Sequence, residues 1–434
     1  MQRADPDIVS VVYSGDTDAT KDEILAKVKV RIFYLWDTRF VAYEASRFDI
    51  SLDPGSVHFV FLKSRYLVED STWPRFTLLG QSLGSMYLAW EAMSMLIPDL
   101  YIGRVPVGAY VHYPTISTDM LARVKSRKRW HTNADGISSS AVLSQTKLLY
   151  YRFFMFYYSM SLRTANFIMV NSSWTKNHVD SILQYSDTLL DLLHLLPPLF
   201  AVKLLTPQNA PKSARIVYPP CDTREMAKFP LTPRERVILS VAQFRPEKDH
   251  QAQLHAFNEL LISHPEYSRE GADHVKLVLV GGSRNEGDAH RVRELETLAR
   301  DLGIEAHVEF VVNASYPVVL DWLSKASIGL STMVDEHFGI NIVEFMAAGV
   351  IPVAHASGGP LKDIIVPFNG ERTGFHALTT KEFAEAFQTI LTLSPDEEAS
   401  MRWRARAWAV QRFSEEEFER GWNQSGWRNY LPSQ

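Results

Sequence analysis

Two glutamates lie eight residues apart in the segment DEHFGINIVE, which follows a short apolar run and opens a helical pattern. Glu336 falls in the loop and Glu344 about one turn into the helix. Gly339 lets the backbone approach a ligand closely, and free N–H groups at a helix start favour a phosphate. A carboxylate such as Glu344 can bind ribose hydroxyls, which leaves Glu336 to meet a sugar. The alternative is a capped helix with two solvated carboxylates.

A second group of residues could neutralise phosphate charge. Arg245 and Lys248 lie in QFRPEKDH, at the carboxyl end of a predicted strand. Two cations there would stabilise a leaving diphosphate, although an ordinary surface pair is the alternative. Gly281 and Gly282 follow another apolar strand and either admit a nucleotide or form a plain tight turn.

His112 ends a further strand, in the segment VHYPT. A histidine at a strand end is either a core residue or part of a site. The polar residues Thr115, Ser117, Thr118 and Asp119 follow it closely, which favours a site that faces a cleft.

Short apolar or β-branched runs alternate with helical stretches along the chain. Several runs are apolar throughout, as expected of parallel strands covered on both faces. The predicted strands are Ile8–Tyr13, Val57–Leu62, Pro106–Val111, Phe167–Val170, Arg215–Tyr218, Val237–Val241, Val275–Val280, His307–Val312, Ile328–Ser331 and Ile351–Ala354. The predicted helices are Lys248–Leu261, Ala289–Leu302, Ile340–Ala348 and Lys381–Leu393. This alternation predicts βαβ units and parallel sheets.

The strand–helix pattern restarts near residue 236, after a segment rich in proline and charge. We therefore predict an α/β domain at 1–218, a linker at 219–235 and a second α/β domain at 236–405. Helices at 406–434 are expected to pack back on the first domain. Ligands of such folds bind at the carboxyl ends of the strands, here in the cleft between the domains.

Composition narrows the class of protein. The chain has 434 residues, 46% of them apolar, and a net charge of −5, so no basic field points to nucleic acid. Its one cysteine, Cys221, cannot form an internal disulfide, which suits a reducing compartment. We expect no signal peptide and no membrane span. Two segments, Leu148–Met160 and Leu189–Leu205, form either buried core or a face that enters the bilayer interface.

Longer stretches carry a family resemblance. They are FLKSRYLVEDSTWPRFTLLGQSLGS, GAYVHYPTISTDM, MVNSSWTKNH, IVYPPCD, SVAQFRPEKDH, VLVGGSRN, DEHFGINIVEFMAAG and AHASGGPLKDIIVP. Together they resemble the retaining glycosyltransferase family with the E-x7-E motif. More narrowly, they resemble the GDP-mannose-dependent α-1,2-mannosyltransferases of the dolichol-linked oligosaccharide pathway.

The resemblance implies a GT-B fold, with two Rossmann-like, doubly wound parallel-sheet domains facing a cleft. It implies GDP-mannose as donor and trimannosyl-chitobiosyl-diphosphodolichol as acceptor, with two α-1,2-linked mannoses (the fourth and fifth) added with retention. It implies no cofactor and no metal site. The expected location is the cytosolic face of the endoplasmic reticulum membrane, where other mannosyltransferases of the pathway are further expected partners.

The resemblance also assigns roles to residues. Glu344 would hold the ribose, with Gly281 and Gly282 near the nucleoside. The other expected contacts are Glu336, Phe338 and Gly339 for the donor sugar; Arg245, Lys248, Gly339 and Ile340 for the diphosphate; His112 with Glu336 at the reacting centre; and Tyr113, Thr115 and Asp119 for the acceptor.

The chain departs from the family pattern in several places. Gln243 stands where the broad family often has arginine, so Arg245 is expected to take over its role. Against the family pattern, we expect the glycine-rich loop, the first strand of the amino-terminal sheet and an apolar segment between Ile102 and Gly103 to be missing and residues 31–46 to be extra. These departures keep open the alternative of a catalytically impaired, non-catalytic partner protein. Because the sequence alone does not identify the base of the donor, a transferase that uses another sugar nucleotide such as a UDP-sugar is the second alternative.

Overall fold

The structure, a computed structural model, describes residues 10–14, 57–69, 72–73, 76–96, 107–126, 141–187, 213–269 and 271–430. The chain divides into two compact units, Met1–Val105 and Pro106–Gln434.

The described part of the first unit contains a pair of parallel strands, β1 (Ser10–Ser14) and β2 (Val57–Phe61). A 3₁₀ turn at Ser64–Val68 and helix α1 (Thr77–Leu96) follow. The Glu91 carboxylate of α1 accepts hydrogen bonds from the backbone N–H groups of Lys63 and Ser64 at 2.8 and 3.0 Å, and thereby satisfies donors at the start of the 3₁₀ turn.

The second unit begins with a parallel sheet in the order β3–β4–β5. Its strands are β3 (Gly108–Val111), β4 (Phe167–Val170) and β5 (Arg215–Ile216). The helices of this part are α2 (Thr118–Lys125), α3 (Ala141–Arg163) and α4 (Ser173–Leu183). Each of α2 and α4 begins after a serine, Ser117 or Ser172, whose hydroxyl accepts a backbone N–H of the first turn.

A six-stranded parallel sheet in the order β11–β10–β9–β6–β7–β8 forms the rest of the second unit. Its strands are β6 (Glu235–Val241), β7 (Lys276–Gly281), β8 (Val308–Val312), β9 (Ala326–Ser331), β10 (Ile351–His355) and β11 (Phe375–Ala377). Every residue of the central strand β9 is buried, because helices cover both faces of the sheet.

The helices of this part are α5 (Thr223–Met226), α6 (His250–Ser263), α7 (Glu286–Asp301), α8 (Tyr316–Lys325), α9 (Ile340–Ala348), α10 (Thr380–Leu391), α11 (Pro395–Phe413) and α12 (Glu415–Asn423). The loop after β10 contains one π-helical turn, Pro360–Ile364, closed by a hydrogen bond from Ile365 N–H to the Pro360 carbonyl at 2.9 Å. A capping box of Ser394 and Glu397 starts α11.

Three buried or half-buried arginines surround the carboxyl end of α9. Arg402, which is fully buried, donates to the carbonyls of Ser327 and Gly349 at 3.0 and 2.7 Å. Arg406 donates to Ala347 O at 2.9 Å, and Arg234 donates to Ala348 O. Cations at this end of the helix satisfy its last carbonyls and complement its dipole.

The described residues confirm all ten predicted strands to within three residues at either end. The strand β11 and the helices α1, α2, α4, α5 and α8 are additional. Of the predicted carboxy-terminal helices, α11 packs on α9, whereas Gly421 of α12 lies against Val217 beside β5. That the amino-terminal sheet lacks its first strand stays a prediction.

Of the two predicted apolar segments, the structure describes one. Leu148–Met160 lies within α3, where Phe154, Met155 and Phe156 are buried while Leu149 and Phe153 are exposed. Leu189–Leu205 lies outside the described residues. Among the helices of the described ranges, none is both long enough and apolar enough to cross a membrane.

Candidate active site

The loop between β9 and α9 brings the two motif glutamates to the carboxyl edge of the six-stranded sheet. Gly339 caps the helix with φ at +99°, a conformation that costs other residues energy but not glycine. Glu336 and Glu344 are 9% and 8% exposed, so both carboxylates are largely removed from water. Buried carboxylates need partners, which makes solvated surface glutamates the poorer interpretation of this pair.

Lys248 provides the cation beside Glu336, with its Nζ 2.5 Å from Oε2 and both side chains mostly buried. It ends a 3₁₀ turn, Pro246–Lys248, that follows β6 and precedes α6. Arg245 directly precedes that turn, and its Nη1 lies 3.8 Å from the Glu247 carboxylate. The structure therefore brings Lys248 to the E-x7-E loop across 88 residues of sequence.

Phe338 and Ile340 flank the capping glycine. The Phe338 side chain is buried and packs on Tyr218 and Phe413, at ring-centroid distances of 5.9 and 5.5 Å. Phe338 can thus offer only its backbone to a ligand. Ile340 is the first residue of α9, where backbone N–H groups have no acceptor within the helix.

Two glycines that the motif analysis did not assign to the site, Gly358 and Gly359, pack against the backbone of the Glu336 loop. A Cβ on Gly358, whose φ is +63°, would lie 2.1 Å from the Glu336 carbonyl oxygen. Gly359 N–H donates to that same carbonyl at 2.8 Å, and Ser357 Oγ accepts from Asp335 N–H at 2.7 Å. The sequence SGG one residue beyond the apolar strand β10 was the available signal.

Gly281 and Gly282 join strand ends. A Cβ on Gly281 would lie 2.0 Å from the Ala242 carbonyl oxygen, and Gly282 O accepts from Phe244 N–H at 3.1 Å. Close packing of the β6 and β7 ends therefore accounts for Gly281 without a ligand. Whether the pair also contacts a nucleoside stays a prediction.

His112 and Tyr113 follow β3. His112 is half-buried with its ring edge-on to Tyr110 at 4.7 Å, and burial lowers the pKa of its imidazole. Tyr113 is 43% exposed, and its ring centroid lies 4.0 Å from that of His337 in the E-x7-E loop. The buried Trp174 of α4 packs behind both rings, at 6.1 Å from Tyr113 and 5.1 Å from His337. The residues after β3 thus contact the glutamate loop directly.

The other predicted acceptor residues lie just beyond Tyr113. Thr115 is exposed, and Tyr158 of α3 is hydrogen-bonded to it. Asp119 lies in the first turn of α2, and its side chain is outside the described part of the chain.

Asp363 joins the two sheets of the second unit. Its buried carboxylate, on the π-helical turn, accepts from Ser173 N–H and Tyr218 OH, each at 2.9 Å, and from the Ser173 hydroxyl. Burial and the Asp363 charge raise the pKa of Tyr218 to about 12. This contact attaches the start of α4 to the loop that supports Glu336, although sequence reasoning gave Asp363 no role.

Two histidines near the site, the buried His250 and the half-buried His337, predict acid sensitivity. Burial lowers the pKa of both His337 and His250 to about 4, against about 6.5 in an unfolded chain. Between these values the unfolded chain binds more protons, so the free energy of unfolding falls as pH drops from about 6.5 to 4. We expect His250→Phe to reduce the dependence of the unfolding free energy on pH by up to about one proton taken up per molecule unfolded. Urea unfolding measured from pH 4.5 to 7.5 gives this slope. An unchanged slope would contradict the burial argument, and the exposed His290→Gln serves as control.

Two known protein families match this chain, one in its amino-terminal part and one in its carboxy-terminal part. Residues 1–183 match the family described as ALG11 mannosyltransferase N-terminus, and residues 222–408 match the family described as Glycosyl transferases group 1.

Full-length relatives extend the match. The chain is 41% identical over 438 residues to proteins of Mus musculus and Homo sapiens named GDP-Man:Man(3)GlcNAc(2)-PP-Dol alpha-1,2-mannosyltransferase, covering 96% of this chain and 80% of each relative. A Neurospora crassa protein of the same name is 39% identical over 446 residues, covering 97% and 74% of the two chains.

Solved structures give the fold. An alpha,alpha-trehalose-phosphate synthase (UDP-forming) from Burkholderia vietnamiensis is similar with a TM-score of 0.63 at 13% identity, over 98% of this chain and 99% of that one. With its parallel sheets and the group 1 match, the molecule is a GT-B glycosyltransferase in fold, which confirms the predicted fold class. The chain belongs to the GDP-Man:Man(3)GlcNAc(2)-PP-Dol alpha-1,2-mannosyltransferase family, which confirms the predicted family.

Proposed function

We propose that this protein transfers mannose from GDP-mannose, in α-1,2 linkage, to trimannosyl-chitobiosyl-diphosphodolichol, and does so twice to add the fourth and fifth mannoses. The observation that carries this proposal is the mostly buried Lys248–Glu336 pair beside the start of α9, in a chain of this family. A cation, a carboxylate and a helix N-terminus at one strand edge suit a sugar diphosphate.

The donor roles follow from this arrangement. Lys248 and the first N–H groups of α9, at Gly339 and Ile340, bind the diphosphate, with Arg245 as a second cation. Glu336 accepts hydrogen bonds from the mannose hydroxyls. Glu344, one turn further along α9, binds the ribose, and Gly281 and Gly282 border the nucleoside. The backbone of Phe338 completes the sugar pocket.

The acceptor is assigned to the residues after β3. Tyr113 supports this assignment, because its exposed ring is held against the glutamate loop and offers an apolar face to a sugar ring. Thr115 and Asp119 are assigned to the same acceptor site. His112 lies near the mannose 6-hydroxyl and the reacting carbon, and its lowered pKa keeps the imidazole neutral at physiological pH.

Retention is assigned to front-face attack. The bond from mannose C1 to the diphosphate oxygen breaks, and the acceptor 2-hydroxyl oxygen bonds to C1 on the same face. The hydroxyl proton passes to the leaving diphosphate oxygen, so no protein nucleophile is needed. Lys248 and the α9 N-terminus stabilise the charge that develops on the diphosphate.

The wider organisation is proposed on the same basis. Residues 1–218 form the acceptor-side domain with membrane-contacting segments, 219–235 the linker, 236–405 the donor domain, and 406–434 the helices that return to the first domain. A dolichol-linked acceptor places the enzyme at the endoplasmic reticulum membrane. We assign it to the cytosolic side, with other mannosyltransferases of the pathway as neighbours.

Calorimetric titration of the chain with GDP-mannose, beside UDP-glucose, tests the donor site. We expect saturable GDP-mannose binding that a Glu344→Ala, Lys248→Ala double variant loses, since that variant lacks the ribose and diphosphate contacts. The matched control is Lys325→Ala, Asp321→Ala, which removes an exposed ion pair of the same half of the unit. Binding then justifies an assay with the dolichol-linked acceptor.

Other outcomes of the titration separate the alternatives. Equal or tighter binding of UDP-glucose would identify a transferase with another donor. No binding by a chain that circular dichroism shows to be folded would contradict the enzyme proposal and leave the non-catalytic partner.

A further inference from the structure

Thr332 is a buried residue that directly follows β9 and lies beneath the turn that carries Lys248. Its hydroxyl oxygen is 2.9 Å from the Lys248 carbonyl oxygen and 3.0 Å from that of Asp249, so its proton is shared between the two carbonyls. The same oxygen accepts a hydrogen bond at 3.1 Å from the side-chain amide of Gln253, on α6. Thr332 and Gln253 are only 2% and 1% exposed.

The turn held in this way has an uncommon backbone. Asp249 has φ at +46°, the left-handed conformation that a non-glycine residue adopts at a cost. Its own carboxylate accepts Ala252 N–H at 3.3 Å as the N-cap of α6. Thr332 fixes the two carbonyls on either side of this strained link, while Gln253 orients the Thr332 hydroxyl.

Lys248 needs such support because its side chain has several rotatable bonds and one target. Its Nζ reaches Glu336 on a different loop, the one that leaves β9, where Glu336 lies four residues after Thr332. The hydrogen bonds from Thr332 to the Lys248 turn therefore connect the two loops beneath the ion pair. A shift of the Lys248 carbonyl moves the origin of the side chain and with it the position of the ammonium group.

We propose that Thr332 and Gln253 are positioning residues that hold the Lys248 turn in place for the donor diphosphate. This inference rests on the proposed donor site and adds to it two residues that contact no substrate. Their effect on the reaction is transmitted through Lys248, because the hydrogen bonds from Gln253 lead to its backbone by way of Thr332.

The first test replaces Thr332 with valine, which keeps the shape and removes the hydroxyl. We expect the dissociation constant for GDP, measured by calorimetry, to rise about tenfold, since two buried carbonyls lose a shared donor next to the anion site. Gln253→Leu should give a smaller rise in the same direction. Thr332→Ser, which restores the hydroxyl, should recover most of the affinity.

A matched control separates positioning from general destabilisation. Thr373 is equally buried, and its hydroxyl donates at 2.9 Å to the Val366 carbonyl, away from the Lys248 turn. Thr373→Val should lower thermal stability to a similar extent but leave GDP affinity unchanged. If both valine variants weaken GDP binding equally, the positioning role is contradicted.

A double variant tests the route through Lys248. When Lys248 is already methionine, Thr332→Val should weaken GDP binding no further, because the group it positions is gone. A further tenfold loss would contradict the proposal. If the wild-type chain binds no GDP, the proposed donor site itself is contradicted. If the wild type binds GDP and Thr332→Val binds it equally tightly, only the positioning role is contradicted. Should Thr332→Val fail to fold, an unchanged GDP affinity of a folded Gln253→Leu would contradict the positioning role.

Discussion

Replacing Lys248 with methionine is expected to lower kcat/KM for mannosyl transfer by about 10²–10³-fold, the cost of removing one group that stabilises developing charge. Methionine keeps the length of the side chain, but the diphosphate loses its cation. The largely buried Glu336 carboxylate also loses its partner at 2.5 Å and is left to repel the diphosphate. Both effects weaken binding of the diphosphate in the ground state and more strongly in the transition state, so KM for GDP-mannose should rise and kcat should fall.

Steady-state kinetics with GDP-mannose and a dolichol-linked or short-chain analogue acceptor measures this effect. Lys325→Met is the matched control, because Lys325 forms an exposed ion pair with Asp321 in the same part of the unit. Lys248→Arg should remain impaired, since the planar guanidinium does not replace an ammonium point charge. Activity of Lys248→Met within twofold of the wild type would remove Lys248 from the mechanism.

Arg402→Met is expected to cost about 3–5 kcal/mol of folding free energy, because buried hydrogen-bond acceptors lose their donor. Arg402 is fully buried, donates to Ser327 O and Gly349 O, and pairs with Glu398 one turn earlier on α11. Methionine fills most of the volume but leaves two buried carbonyls and a carboxylate without a donor.

Thermal and urea unfolding followed by circular dichroism give the readout. The midpoint should fall by on the order of 10 °C. Arg404 lies on the same helix, half-buried, and donates at 3.1 Å to the Arg372 carbonyl at the protein surface, so Arg404→Met should change stability by less than about 1 kcal/mol. An equal loss of unfolding free energy in the two variants would contradict a stabilising role for the buried hydrogen bonds of Arg402.

The sheets could be predicted because their strands are short runs of apolar residues separated by helices. The strand β11 could not, because Phe375–Ala377 has three residues and too few positions for a periodicity. The helix Tyr316–Lys325 did carry a readable signal, Ser315 at the N-cap and Pro317 in the first turn.

Some residues of the candidate site could be predicted from the sequence, and others could not. Lys248, Glu336 and Glu344 lie in local motifs at strand ends, so their chemistry is visible in the sequence. Thr332 and Asp363 act through partners 79 and 190 residues away, and nothing in their neighbours marks those pairings. Contacts of this kind are created only when the loops of separate βαβ units meet.

The position of Cys221 has a practical consequence for spectroscopy. It is the only cysteine in the chain. It is 2% exposed, and its backbone pairs with that of Ser414 in an isolated β-bridge. Thiol-reactive dyes or spin labels can therefore be directed to introduced cysteines with the native residue left in place. Labels at the exposed positions Asn177, on α4, and Glu371, beyond the π-helical turn, would report the distance across the Asp363 contact as GDP binds and leaves.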